Sequence, residues 1–157
     1  FFSNSKIFCF DVNISNFIYE SKKIQVFGLD INNRKKTEKT LTKIIKNKKL
    51  SFIDIIIDDG SHNLSDILFS LKYLFKYVKK KGYYVIEDFK FPNYFSYNKN
   101  IKDILVDKMI FYIKKKKFFK SSIFNNKDQE FLHKNIKKII TKKGNLKYSD
   151  ICFIQKN

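Results

Sequence analysis

The sequence has almost no arginine and little glycine, proline or cysteine. Arg34 is the only arginine among 157 residues, and there are four glycines, one proline, two cysteines and no tryptophan. Proteins that bind phosphate groups bidentately normally use the planar fork of arginine. The scarcity therefore argues against a nucleic-acid-binding protein, despite a formal net charge of +18. The lysines are spread along the whole chain, which we interpret as compositional bias with a solvated surface, and we expect no specific nucleic acid partner.

Other absences bear on the compartment and on processing. Cys9 and Cys152 lie far apart in apolar segments without zinc-site spacing, so we expect free core residues in a reducing, cytoplasmic compartment. No apolar run approaches the roughly 18 to 20 residues that cross a bilayer, so we expect a soluble chain with no membrane partner. The start lacks the features of a secretory signal, and we expect it to lie inside a longer protein.

What the sequence does contain is enough apolar material for a core. At 43% hydrophobic and 17% aromatic residues, the chain is expected to fold, and its length suits a single domain over residues 1–157.

Four short apolar runs, each ending in acidic residues, predict the strands of an α/β fold. They cover residues 6–11, 23–30, 52–57 and 83–86. The acids at their ends are Asp11, Asp30, Asp58, Asp59, Glu87 and Asp88. The continuous apolar character of the third run is typical of a strand buried on both faces of a parallel sheet. Because ligands bind beyond the carboxyl ends of parallel strands, we expect the last four acids to converge in one crevice.

Three further segments have apolar residues at helical spacing. They are residues 33–50, 64–78 and 101–113. The second helix is expected to end in lysines and at Gly82, which would take a positive φ, and the fourth strand follows directly. This order of strand, helix and strand is the crossover unit of a parallel sheet.

The last third of the chain gives a weaker pattern. Residues 89–98 contain the only proline, Pro92, and predict a loop that covers a site, whereas residues 118–133 fit no pattern. Residues 135–141 and 148–155 predict an antiparallel hairpin at the edge of the sheet. The expected fold class is therefore α/β, with a Rossmann-like, mostly parallel sheet and an antiparallel C-terminal hairpin.

Two motifs resemble a known family. The sequence DDGSH at residues 58–62 and the sequence GYYVIED at residues 82–88 are similar to those of class I S-adenosylmethionine-dependent methyltransferases of the macrocin O-methyltransferase type. That family methylates sugar hydroxyls with the help of Mg²⁺. The resemblance covers roughly residues 3–90 and, more loosely, the terminal segment YSDICFIQK.

The resemblance implies roles for individual residues. Asp59, Glu87 and Asp88 match the metal ligands, and His62 matches the general base. For the S-adenosylmethionine cofactor, it implies the set Asp11, Val12, Asp30 and Asp58. Of these, Asp11 would hold the ribose, Val12 would lie beside the adenine, and Asp30 would lie near its amino group. For Asp11 alone, a turn-forming aspartate is an equal alternative.

The sequence also departs from the family. The family's first strand and its glycine-rich loop have no counterpart here, because the chain begins just before what should be the second strand. We therefore expect a domain truncated at its N-terminal side. Cys9 stands where the family often has glycine, and the segment after Asp88 carries no motif that matches.

The candidate residues suit this chemistry by themselves. Three carboxylates at strand ends form a hard oxygen site for Mg²⁺, and the remaining positions of the ion take waters or two hydroxyls of a diol. An imidazole, with a pKa of about 6.5, can then remove a hydroxyl proton. We expect a Mg²⁺-assisted O-methyltransferase acting on a glycoside sugar or another vicinal diol. The alternatives are a catechol-like small-molecule methyltransferase and a basic module that binds nucleic acid or anionic surfaces. The oligomeric state stays open, a homo-oligomer being one option.

Overall fold

The acid-terminated apolar runs form strands and the periodic segments form helices in a computed structural model that describes residues 5–18, 21–47 and 53–157. The elements in chain order are β1 (Ile7–Asp11), β2 (Ile24–Gly28), α1 (Arg34–Asn47), β3 (Ile53–Asp58), α2 (Leu64–Leu74), β4 (Val78–Ile86), α3 (Phe91–Tyr94), α4 (Val106–Lys114), α5 (Asn126–Asn135), β5 (Ile136–Lys143) and β6 (Asp150–Lys156). The chain divides into two compact units, Phe1–Lys49 and Leu50–Asn157. A single domain over the whole chain stays a prediction.

The first unit contains β1, β2 and α1. The two strands pair in parallel, with Asp11 opposite Gly28. Asn33 caps α1, since its Oδ1 accepts a hydrogen bond of 3.1 Å from the backbone N–H of Lys36. Leu41 is buried on the apolar side of this helix, as its spacing predicts. The predicted end of α1 at residue 50 and the predicted start of β3 at residue 52 lie outside the described residues.

The second unit is built on a four-stranded sheet in the order β3-β4-β6-β5. β3 and β4 are parallel, whereas β6 is antiparallel to both of its neighbours, β4 and β5. The predicted crossover unit and the predicted C-terminal hairpin are both present, with β5 at the edge of the sheet. This mixed sheet confirms the predicted α/β class with parallel strands and an antiparallel C-terminal pair.

One face of this sheet carries the core of the second unit. The register places Ile56, Tyr84, Ile154 and Ile139 in one row on this face, and they pack in the same cluster as residues of α2, α4 and α5. On α2, three leucines are fully buried: Leu64, Leu68 and Leu71. Each such side chain contributes about 1.5–3 kcal/mol of transfer free energy.

The opposite face corrects the prediction that β3 is buried on both sides. Ile55 and Ile57 point away from the cluster and are exposed. Among residues 53–157, the packed core gathers on the other side of the sheet. The alternate residues of β3 therefore stay accessible, although the sequence of the strand is apolar throughout.

The junction between α2 and β4 also differs from its prediction. The α-helix ends at Leu74 and continues as a 3₁₀ turn over Phe75–Tyr77, and β4 begins at Val78, so the predicted lysine-rich helix end is the start of a strand. The positive φ, 64°, belongs to Lys81 and not to Gly82. Glycine is needed there for space, because a Cβ at residue 82 would lie 2.5 Å from the carbonyl oxygen of Asp54.

The predicted third helix starts later than its apolar spacing indicates. It begins at Val106, and residues 101–105 form irregular structure. Part of the unassigned stretch 118–133 is α5, which starts with a capping box in which Asn125 and Asp128 each accept a hydrogen bond from the backbone N–H of the other. No helix among the described residues combines the length and apolar character that crossing a membrane requires.

The two cysteines are both free, but their surroundings differ. Cys152 lies in the core of the second unit, as predicted, and burial raises the pKa of its thiol to about 12. The prediction that Cys9 is a core residue is wrong, since β1 leaves it half-buried.

Candidate functional site

The carboxyl ends of β3 and β4 lie side by side and bring acidic residues to one edge of the sheet. Asp58 is paired with Ile86 in the register, and the backbone N–H of Glu87 donates a 3.0 Å hydrogen bond to the carbonyl of Asp58. Asp59 directly follows Asp58, and Asp88 directly follows Glu87. The expected convergence of the acids therefore rests on a hydrogen-bond ladder that reaches the end of β3 and extends one residue past β4.

His62 lies between two of these acids. Its Nε2 is 3.7 Å from Oδ1 of Asp59 and 4.0 Å from Oδ2 of Asp88. The imidazole is 22% exposed, so solvent and small molecules can reach it. The structure thus brings together the predicted base and two of the predicted metal ligands. The third, Glu87, directly precedes Asp88 in the sequence.

The charges of this cluster shift the pKa of Glu87. Burial raises the pKa of Glu87, the negative charges of Asp59 and Asp88 raise it further, and the nearby His62 lowers it. The Glu87 carboxyl is therefore partly shielded from water and lies among like charges. A cation placed among these groups would relieve the repulsion.

Two residues of the site have left-handed backbones. His62 has φ 56° and Asp88 has φ 47°. This region costs a non-glycine residue roughly 1–2 kcal/mol, and such outliers concentrate at functional sites. These conformations occur where the chain turns after β3 and after β4, and Nε2 of His62 lies 4.0 Å from Oδ2 of Asp88.

Hydrogen bonds of the following turn hold the DDGSH segment in place. Ser61 donates through Oγ to Oδ2 of Asp66, and its Oγ accepts from the backbone N–H of Asn63 at 3.3 Å. Ser65 donates to Oδ1 of Asp66 at 3.0 Å. Asn63 is the N-cap residue of α2, but its side chain makes no cap hydrogen bond.

Asp58 is oriented differently from its neighbour Asp59. Its Oδ2 accepts a 3.1 Å hydrogen bond from the hydroxyl of Tyr84, a buried residue on the helix-covered face. Burial raises the pKa of Asp58 to about 7, and the charges of Asp66 and Asp59 add to the effect, while the Tyr84 hydroxyl opposes it. The Asp58 carboxylate therefore already has a structural partner, which the sequence did not indicate.

An aromatic residue that the sequence motifs missed completes the site. The ring centroid of Phe91 lies 5.3 Å from that of His62, at an interplanar angle of 44°. Phe91 belongs to the short helix α3 within the segment predicted as a covering loop. The aromatic density of that segment, FKFPNYFSY, was the available signal, but no periodicity singles out one ring.

The remaining predicted cofactor residues lie in the first unit, at the carboxyl ends of β1 and β2. The Oδ1 of Asp11 accepts a 2.8 Å hydrogen bond from the backbone N–H of Asn13, and the Oδ1 of Asp30 accepts a 2.9 Å bond from the N–H of Asn32. Both acids thus form Asx turns, the alternative raised for Asp11. Val12 is exposed. A carboxylate has about four lone-pair sites, so these bonds leave acceptor capacity for a ligand.

The acids of the second unit are chemically suited to a hard cation, but their side chains are not arranged as a metal site. Three carboxylates are the oxygen ligands that Mg²⁺ prefers. Within residues 5–18, 21–47 and 53–157, however, no group of three or more histidine, cysteine, aspartate or glutamate side chains is arranged so that it could hold a metal ion. Binding would require the carboxylates to change rotamer, which the 61% exposure of the Asp59 side chain permits.

Comparison with known proteins identifies the fold of the chain. No family model matches the chain, and no curated protein matches it either. Solved structures do match, and they give the chain a methyltransferase fold.

Among them are structures of MycE, a methyltransferase from the mycinamycin biosynthetic pathway. The complex of MycE with Mg, SAH and mycinamycin VI superposes with a TM-score of 0.66 at 20% identity, over 96% of this chain and 36% of that one. A second crystal form, with Mg and SAH, gives a TM-score of 0.64 at 21% identity. The chain therefore spans about a third of the length of these proteins, and the likeness concerns the fold.

Proposed function

We propose that the protein is an S-adenosylmethionine-dependent, Mg²⁺-assisted O-methyltransferase of the macrocin O-methyltransferase type, acting on a hydroxyl of a sugar or another vicinal diol. The observation that carries the proposal is the position of His62 between Asp59 and Asp88 at the carboxyl edge of a methyltransferase fold. A base beside a cluster of acids is the arrangement that deprotonation of a metal-bound hydroxyl requires.

In this proposal the chain's own residues hold the ion and move the proton. Asp59, Glu87 and Asp88 would hold the Mg²⁺, which supplies a positive charge that lowers the pKa of a bound hydroxyl. His62 accepts the hydroxyl proton at Nε2. Once protonated, the imidazolium lies within ion-pair distance of Asp59 and Asp88, which stabilises the charge that it has gained.

The cofactor is assigned by the same resemblance. We assign Asp11 to the ribose hydroxyls of S-adenosylmethionine and Val12 and Asp30 to its adenine, and we include Asp58 among the cofactor-binding residues. The complexes of MycE with SAH support this choice of cofactor.

By the resemblance, the proposal also includes a further strand beside β3 and a glycine-rich loop. In the described part of the chain, β3 has a hydrogen-bonded neighbour on one edge only, β4. Parallel strands of such sheets normally have neighbours on both edges and cover on both faces, and the exposed Ile55 and Ile57 fit an incomplete sheet. The proposal therefore assigns activity to a full-length protein that includes this strand and loop.

Chelation tests the proposal. Labelled S-adenosylmethionine and methyl β-D-glucopyranoside are incubated with the full-length protein, with Mg²⁺ or with excess EDTA. We expect EDTA to lower label transfer by at least about 100-fold, since metal activation of a hydroxyl contributes several kcal/mol, and added Mg²⁺ to restore it.

Matched variants locate the effect. Asp59→Asn is expected to reproduce the loss, and Asp54→Asn, at an exposed position on β3, is expected to leave the rate unchanged. Transfer that persists in EDTA would exclude metal assistance.

A further inference from the structure

A continuous row of aromatic side chains leads away from His62. After Phe91, the next ring is Phe95, with centroids 4.6 Å apart, and then Tyr97, 5.6 Å from Phe95. We call Phe91, Phe95 and Tyr97 the ring row. Tyr148 packs against Phe95 from the side, at 5.1 Å and an interplanar angle of 76°.

A buried acid at the start of β6, Asp150, holds the segment that carries the first two rings of the ring row. The carboxylate of Asp150 accepts hydrogen bonds from the Tyr94 hydroxyl at 2.6 Å and from Nζ of Lys90 at 3.2 Å. The backbone carbonyl of Asp150 accepts a further bond, 3.2 Å long, from the N–H of Phe89. These contacts attach both ends of α3 to the sheet, so the rings that α3 and the following turn carry are held in place.

The outer end of the ring row is open to solvent. Tyr97 is 71% exposed and Phe95 is half-buried. The planes of successive rings turn by 42° and 40° at centroid distances below 6 Å, which leaves no slot between them for another ring. A ligand would therefore lie on the outer faces of the rings, where aromatic side chains offer apolar area at little conformational cost.

We propose that the ring row is the acceptor-binding surface, on which the ring of the acceptor lies with its apolar face while its hydroxyls extend to His62. The inference rests on the proposed function and specifies its acceptor as a ring-shaped vicinal diol with an apolar face. A pyranoside and a catechol share this chemistry. The contact between His62 and Phe91 carries the inference, because it makes the surface continuous with the proposed base.

Tyr97 tests the surface, because a side chain that is 71% exposed can be truncated without removing core contacts. The probes are phenyl β-D-glucopyranoside and 4-phenylcatechol, whose second ring can extend along the ring row beyond the diol, each measured for binding by saturation-transfer NMR and for methyl transfer with the full-length protein. For the probe that the protein uses, we expect Tyr97→Ala to raise KM and Kd about tenfold, while kcat stays within twofold. Phe111→Ala is the matched control, since Phe111 is also an exposed ring, 57% accessible, on α4, and it is expected to change neither constant.

The outcomes separate the inference from the proposed function. Weaker binding in Tyr97→Ala alone supports the surface, and the preferred probe then identifies the source of the diol. Unchanged KM and Kd in Tyr97→Ala, in a protein that transfers methyl groups, overturns the surface and leaves the function standing. Weakened binding without any transfer by the wild type overturns the function and leaves the surface standing. Failure of both probes to bind the wild type overturns the inference.

Discussion

Replacement of His62 by alanine is expected to lower methyl transfer by about 10²- to 10⁴-fold, the usual contribution of a positioned general base, while S-adenosylmethionine binding persists. The imidazole Nε2 lies 3.7 Å from Oδ1 of Asp59 and 4.0 Å from Oδ2 of Asp88, where it can take the proton of a hydroxyl held beside these acids. The loss should appear in kcat, since the proton moves after the acceptor has bound. Single-turnover transfer of labelled methyl, with cofactor affinity from calorimetry, provides the measurement.

Two further variants make this result specific. Alanine at the left-handed φ of residue 62 carries a conformational penalty, whereas asparagine tolerates that region, so His62→Asn is expected to be equally inactive at near-normal stability. His133→Ala is the matched histidine control, because His133 lies on α5 with its ring 5.4 Å from that of Phe118. Turnover retained in both His62 variants would remove the proposed base.

The double variant Lys90→Met with Tyr94→Phe is expected to lower the free energy of unfolding by about 3–5 kcal/mol at neutral pH. It removes both side-chain donors of Asp150 and leaves a carboxylate whose side chain is only 4% exposed without its cation. Desolvation then has no compensation. Urea denaturation followed by circular dichroism measures the effect.

The size of this effect depends on burial, and two comparisons check that. Adding Asp150→Asn to the double variant is expected to recover much of the loss, because the charge itself is then gone. Lys79→Met breaks an ion pair to Asp54, whose side chain is 73% exposed, and is expected to cost less than about 1 kcal/mol. Equal losses from the buried and the exposed pair would show that Asp150 has no special part in fixing α3.

The strand ends of the second unit were predictable because two local signals coincide. A β-branched run such as residues 53–57 favours a strand, and the acids that follow it cannot enter a core unpaired. The turn into α2 was equally readable from DDGSH. What the sequence did not show was that Asp58 and Asp59, adjacent in sequence, point to different partners, because this depends on Tyr84 in the neighbouring strand.

Other differences have a tertiary cause. The lysines after Val78 favour a helix end by charge, but β4 already begins at Val78, which pairs with Ile53 of β3, and the register shifts across the lysines before pairing resumes at Tyr83. The exposure of Ile55 and Ile57 depends on which face the helices cover, which an apolar strand sequence does not specify. By contrast, α5 was missed although its capping box, Asn125 with Asp128, is a local signal.

Paramagnetic broadening by Mn²⁺ tests most directly whether one ion is shared at the carboxyl edge of β3 and β4. In ¹⁵N-labelled protein, we expect substoichiometric Mn²⁺ to broaden first the amide signals of Asp59, Glu87, Asp88 and His62, and Mg²⁺ to reverse the broadening. Signals of α5 should stay sharp. Broadening that starts at other acids, or that leaves these four signals unchanged, would contradict the shared metal site and with it the proposed methyl transfer.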